Sequence, residues 1–207
     1  MTANALRAPA KAQAAVQKAM VAFNKHQQSE AEKQVSRALE IYPDYAVALT
    51  LRAYLKAATQ PSDAVADLEK AIRVDPSYAP ANALLASFYN DYQRYDDASP
   101  LIQRALQLLP SKWQVHFEMA RTLFGKHRST EALAEVNDAI TLIRASAVAS
   151  PESRAYVHFL RGQILMDQHE LEGARQEFEL TLKEEPQGAF AHDSNEILAR
   201  FQSAGNR

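Results

Sequence analysis

The sequence predicts an all-α fold, a solenoid of five helix hairpins closed at its C-terminal end by one further helix. Three observations predict it. Prolines that end apolar helices stand at Pro43, Pro76 and Pro110, 33 and 34 residues apart, and again at Pro186, 76 residues on, which holds two units of 34 and 8 extra residues. A small residue opens each second helix at one offset: Ala31, Ala64, Ala98, Ala132 and Ala174. The composition is 47% hydrophobic, much of it alanine, with only 5 glycines in 207 residues. That mix suits closely packed helices and disfavours glycine-rich phosphate loops or strand-turn-strand folds.

The remaining offsets repeat as faithfully. Four residues after each opening alanine come Val35, Leu68, Ile102, Val136 and Phe178. Three further on stand Ala38, Ala71, Ala105, Ala139 and Thr181, each followed by Leu or Ile. The first helices carry their own small contact residue at Ala19, Ala53, Ala86, Ala120 and Gly162. Spacings of three and four place these residues on one helical face. The clearest unit runs from Ala79 to Pro110, with Leu85, Ala86, Tyr89, Tyr95, Ala98, Ile102 and Ala105.

Residues 12–186 thereby resemble the tetratricopeptide repeat, a 34-residue helix-turn-helix unit that stacks into a right-handed superhelix. The aromatic this family carries early in the first helix is replaced by Ala15, Leu49, Asn82, His116 and His158.

Taken in order, residues 1–9 read as a flexible segment before a single solenoid domain over 10–203. Repeats are expected at about 12–45, 46–78, 79–112, 113–154 and 155–188, then a capping helix over 188–203 and a tail, 204–207. Ser29 to Glu32 has the pattern of a capping box, and Asp96 and Ser129 are candidate caps. Pro61 and Pro151 suit first helical turns. The second unit is one residue short, which points to the turn at Thr59 to Ser62. The 8 extra residues between Ala139 and Ala155 predict an elongated helix to about Val148, with Ile143 and Val148 on an apolar ridge. In the terminal helix, Asn195 and Glu196 supply the polar outer face a solenoid end needs, and Phe190, Ile197, Leu198 and Phe201 face the fifth repeat.

Charge and motifs exclude several functions. A net charge of −2 gives no basic stripe for nucleic acid. No apolar run approaches the roughly 18 residues that cross a bilayer, so membrane insertion is not expected. With no cysteine there is no thiolate site and no disulfide framework, which suits the cytosol and an oxidising compartment equally. Met1 to Pro9 lacks the apolar core of a signal peptide. The chain as given therefore reads as cytoplasmic, and a signal removed upstream would make it periplasmic or extracytoplasmic. The motifs HExxH, GxSxG, GxxxxGK[ST] and GxGxxG are all missing, so no enzyme activity, no cofactor and no metal site is expected. His116 and His158 occupy equivalent repeat positions, but no carboxylate stands in register with them along the sequence.

What remains is surface. The resemblance implies a concave groove lined by first helices, and with it a non-catalytic scaffold that binds a protein or peptide ligand. Carrying the family's groove positions onto this chain selects Met20, Phe23 and Asn24 in the first repeat, Tyr54 in the second and Asn90 in the third. The fourth supplies Phe117, Arg121 and Phe124, and the fifth Tyr156, Phe159 and Met166. Arg121 and Asn90 are then expected to fix backbone or carboxylate groups of the ligand. The carboxylate clamp of chaperone-binding relatives is not expected, since Val16, Met20, Leu51, Pro80 and Leu84 occupy its places. Two alternatives stand beside this reading: a self-association module using the ridge near Ile143 or the first helix, and a scaffold domain of a longer protein whose activity lies elsewhere.

Overall fold

The computed structural model describes residues 2–205; Met1 and residues 206–207, part of the expected tail, lie outside them. Among the described residues there are twelve α-helices and no strand. No described helix is long and apolar enough to cross a membrane. The chain divides into two compact units, residues 1–92 with 100–108 and residues 93–99 with 109–207. The division falls inside α7 (Tyr95–Leu108) at Pro100, whose nitrogen has no hydrogen to donate to the preceding turn.

The first unit holds α1 (Ala3–Arg7), α2 (Ala10–Asn24), α3 (Gln28–Ile41), α4 (Ala46–Lys56), α5 (Pro61–Val74), α6 (Ala79–Asp91) and the second half of α7. α2 pairs with α3 and α4 with α5, α3 packs on α4 and α5 on α6. Ala19, Ala53 and Ala86 of the first helices are fully buried, as are Ala31, Ala64, Ala38, Ala71 and Ala105 of the second. Alanine at a crossing lets helix axes approach to the short end of the usual 8–10 Å range, and a larger side chain there would overpack the contact by about 1–3 kcal/mol. The stretch expected to be flexible carries α1. Asn4 fastens it, because its Nδ2 donates to the Asp44 carbonyl at 2.8 Å and its Oδ1 accepts from Ala46 N–H at 3.0 Å. Asn4 thus caps α4 from 42 residues away.

Three repeats turn between their helices on a left-handed histidine: His26, His127 and His169 have φ near +60°. Each is a Schellman closure. Gln27 N–H donates to Ala22 O and His26 N–H to Phe23 O, and the same pattern recurs at Arg128–Leu123 with His127–Phe124 and at Glu170–Leu165 with His169–Met166. The closure explains why the expected caps are not used. The residue after the histidine already opens the next helix, so α3 begins at Gln28 and α9 (Ser129–Arg144) at Ser129, neither with a side-chain cap. Ser29 and Ser129 lie within the first turn, and Asp96 does so in α7. In the short second repeat no residue adopts a left-handed conformation. Thr59 and Gln60 N–H both donate to Lys56 O, and the missing length lies in α4, 11 residues against 13 in α6, rather than in the turn.

The connection into α6 holds a half-buried phenol. Burial, with Tyr45 and Asp75 nearby, pushes the Tyr78 pKa up to about 12. The folded chain therefore keeps a proton that the unfolded chain releases near pH 10. The stability this provides is complete below about pH 10 and drains away as pH rises toward 12, about 2–3 kcal/mol in all. Tyr78→Phe is expected to flatten this alkaline loss in urea unfolding, and phenolate absorbance of the native protein should show Tyr78 titrating late, with Tyr45 also displaced upward by its burial.

The second unit holds the start of α7, α8 (Trp113–Gly125), α9, α10 (Pro151–Asp167), α11 (Leu171–Glu184) and α12 (Ala191–Gly205). α8 pairs with α9 and α10 with α11, α9 packs on α10, and α12 on α11. Its core joins Ala120, Leu123, Val136, Ile140, Ile143, Val157 and Ile164. The 8 extra residues do not elongate α9 to Val148. α9 has 16 residues against 14 in α7, the connection after it six against four, and α10 has 17 against 13 in α8. Ser150 and Pro151 are the reason. A residue before proline avoids the helical region, and Ser150 is extended, its Oγ accepting from Ser153 N–H to cap α10. Arg154 then holds the connection, donating to Ala149 O and Glu184 at 2.8 Å each. Ile143 is buried in the core and Val148 stands exposed in the loop, so they do not share a ridge.

α12 closes the unit. Phe190, Ile197, Leu198 and Phe201 pack on the cluster of Phe159, Leu165, Ala174 and Phe178, while Asn195 and Glu196 face solvent.

Candidate functional site

The large apolar residues selected for the groove divide by exposure between the two units. In the first unit Met20 is 49%, Phe23 37% and Tyr54 52% exposed. Met20 and Phe23 lie on α2 and Tyr54 on α4, the first helices of adjacent repeats, and the Phe23 and Tyr54 rings meet edge to face at 5.3 Å. Asn24 is exposed at the end of α2, whereas Asn90 is buried. Large exposed apolar side chains gathered on one face are the informative deviation from ordinary surface.

In the second unit the selected residues mostly serve packing. Phe159 is buried and stacks on Phe190 at 4.2 Å, and Tyr156 meets Phe190 edge to face at 4.7 Å. Met166 packs on the cluster beneath α12. Phe117 and Phe124 are partly buried against the α8–α10 core. Arg121 bonds Glu118 at 3.0 and 3.2 Å and lies 5.9 Å from the Phe117 ring centroid, so its guanidinium is already held within its own helix.

The sequence reading missed the polar contacts inside the hairpins. His116 Nδ1 lies 2.8 Å from Glu135 Oε2, and His158 Nδ1 lies 2.7 Å from Glu177 Oε2. Carboxylates therefore do stand in register with both histidines, 19 residues on in each repeat. Arg161 also bonds Glu177, at 2.5 Å, and Arg52 grips Asp67 through two bonds of 2.5 and 2.6 Å in the second repeat. These arginines are equivalent, each preceding the small residue of its first helix, and their pairs are 16 and 15 residues apart because the second repeat is one residue short. The carboxylates occupy one position, three after the opening alanine, where the five repeats read Gln34, Asp67, Leu101, Glu135 and Glu177. An acidic residue recurring beside core positions was the available clue. Asn82 and His116 share a second role: their side chains reach the carbonyls of Pro76 and Pro110, each six residues earlier. Polar side chains at the family's aromatic position thus fasten the loop that precedes their helix.

Residues 52–112 match the family model of the tetratricopeptide repeat. No curated protein matches the chain in sequence. Among solved structures, one described as the crystal structure of the APC/C hetero-tetramer Cut9–Hcn1 aligns with a TM-score of 0.79 at 16% identity, covering 95% of this chain and 38% of that one. PilF of Pseudomonas aeruginosa aligns at 0.70 with 19% identity, covering 92% and 88%. MamA from Desulfovibrio magneticus RS-1 aligns at 0.65 with 12% identity, covering 88% and 99%. At such identities the likeness concerns the fold, and that fold is an all-α solenoid.

Proposed function

We propose that this chain, whose residues 52–112 match the tetratricopeptide repeat and whose fold is an all-α solenoid, is a non-catalytic interaction scaffold that takes a peptide or partner segment on the exposed apolar face of its first helices. The observation that supports this most is the group Met20, Phe23 and Tyr54, three large apolar side chains left accessible on adjacent α2 and α4. Helices held by fully buried alanine contacts present that face without having to order it on binding, so little conformational entropy is lost on the scaffold's side. Aromatic anchors of this kind carry most of the energy of a small interface, and they favour a ligand with apolar or aromatic side chains.

Peptides selected by display against the immobilised protein provide the test. Selected sequences should be rich in apolar and aromatic residues, and Phe23→Ser with Tyr54→Ser should weaken their binding by about 2 kcal/mol or more, some thirtyfold. Circular dichroism should stay unchanged, because both side chains are substantially exposed. Undiminished binding by the double variant would remove this face from the proposal.

A further inference from the structure

We propose that His116, Glu135 and Asp138 form a binding site for one divalent transition-metal cation of the zinc type, joining α8 to α9 within the fourth repeat. The three potential ligand atoms all lie within 4.8 Å of one another. His116 Nδ1 is 2.8 Å from Glu135 Oε2 and 3.9 Å from Asp138 Oδ2. Glu135 and Asp138 are three residues apart on α9, so both carboxylates project from one face toward the imidazole on α8.

The second ring nitrogen orients the site. His116 Nε2 lies 2.9 Å from the Pro110 carbonyl, which can only accept, so the proton sits on Nε2. In the neutral ring Nδ1 then offers its lone pair to the carboxylates. A ring nitrogen and a carboxylate oxygen 2.8 Å apart share something positive, either a second ring proton or a cation that displaces it. A carbonyl that holds one histidine nitrogen while the other faces a metal is the usual outer support of a metal-bound histidine.

The neighbouring repeat shows what a closed version looks like. There Arg161 bonds Glu177 opposite His158, and the charge is balanced within the protein. In the fourth repeat Met119 stands in place of Arg161, and Asp138 stands where the fifth has Leu180. One positive group is lost and one negative group gained. Among the described residues no lysine or arginine pairs with Glu135 or Asp138.

One imidazole nitrogen with two carboxylate oxygens suits zinc better than magnesium or calcium, which prefer oxygen alone. Zinc ligands at about 2.0–2.2 Å in tetrahedral array lie roughly 3.4 Å apart. The His116–Glu135 contact would widen by about half an ångström and Asp138 would move inward by a similar amount. Asp138 is 66% exposed on its side chain and free to do so. Solvent supplies the remaining position.

Calorimetric titration of the untagged chain with zinc chloride tests the site. One zinc per chain is expected, with a raised thermal midpoint. Asp138→Ala and Glu135→Gln should each weaken binding by about tenfold or more, and His192→Ala, on α12, should leave it unchanged. Magnesium should bind at least about tenfold more weakly. Asp138→Ala keeps the fold readable, because that side chain faces solvent. Zinc affinity unchanged in both carboxylate variants, no saturable one-to-one binding, or magnesium binding as tightly as zinc would each overturn the proposal, leaving His116 and Glu135 as a plain ion pair.

Discussion

Glu177→Ala is expected to lower the stability of the second unit by about 3–5 kcal/mol. The carboxylate is only 6% exposed on its side chain and is shared by His158 at 2.7 Å and Arg161 at 2.5 Å. Truncation leaves an arginine and a histidine without their common partner in a space that water barely reaches. Arg161 Nε is buried and has no hydrogen-bond partner of its own, although the side chain as a whole is 30% exposed. Urea unfolding followed by circular dichroism measures the loss. Glu135→Ala is the comparison. Its side chain is 22% exposed and faces one nearby ring, so it should cost clearly less. Equal costs for the two would show that the additional arginine contributes nothing.

Phe178→Ala is expected to cost about 3–5 kcal/mol, the range for emptying an aromatic site in a close-packed core. Phe178 is the largest side chain among the fully buried ones. It stands where the other repeats have Val35, Leu68, Ile102 and Val136, and the residue opposite changes with it. In repeat register those four correspond to Ala19, Ala53, Ala86 and Ala120 of the first helices, whereas Phe178 corresponds to Gly162 and packs against it. A Cβ at Gly162 would lie 2.9 Å from the Phe178 ring, so the larger ring is accommodated by removing a methyl group across from it. Gly162→Ala alone should therefore destabilise by overpacking. Combined with Phe178→Leu, it should fall within about 1.5 kcal/mol of the wild type, because the pair then has the residues of the second repeat, Ala53 and Leu68, at the same register positions. A double-mutant cycle in urea reports the coupling. Additive costs would mean that the two residues do not share the space the geometry assigns them.

Much of the fold was legible because it rests on short-range periodicity. The opening alanines, the apolar residue four positions on and the closing prolines each mark a helix face or a helix end, and the structure buries those alanines completely. The polar outer face of α12 could be read for the same reason, since Asn195 and Glu196 share one helix with the apolar Ile197, Leu198 and Phe201. The candidate surface was less legible. The groove positions implied by the resemblance select Phe23 and Phe159 alike, yet Phe23 stays accessible while Phe159 is stacked under Phe190. That difference depends on where the segment after Pro186 lies, which no local pattern specifies. The length of α9 was misread similarly. An apolar stripe continues past Arg144, but extended Ser150 before Pro151 starts the next helix instead.

By itself, then, the sequence determined the class of fold, the number of hairpins and the residues at which helices touch, because those follow from the three- and four-residue spacing of one helix at a time. Tertiary structure alone decided which polar side chains meet. His116 with Glu135 and His158 with Glu177 are 19 residues apart and lie on different helices, so only the folding back of each hairpin brings them within bonding distance. It also decided which apolar residues stay exposed, since burial depends on what another segment covers and not on the residue's own periodicity.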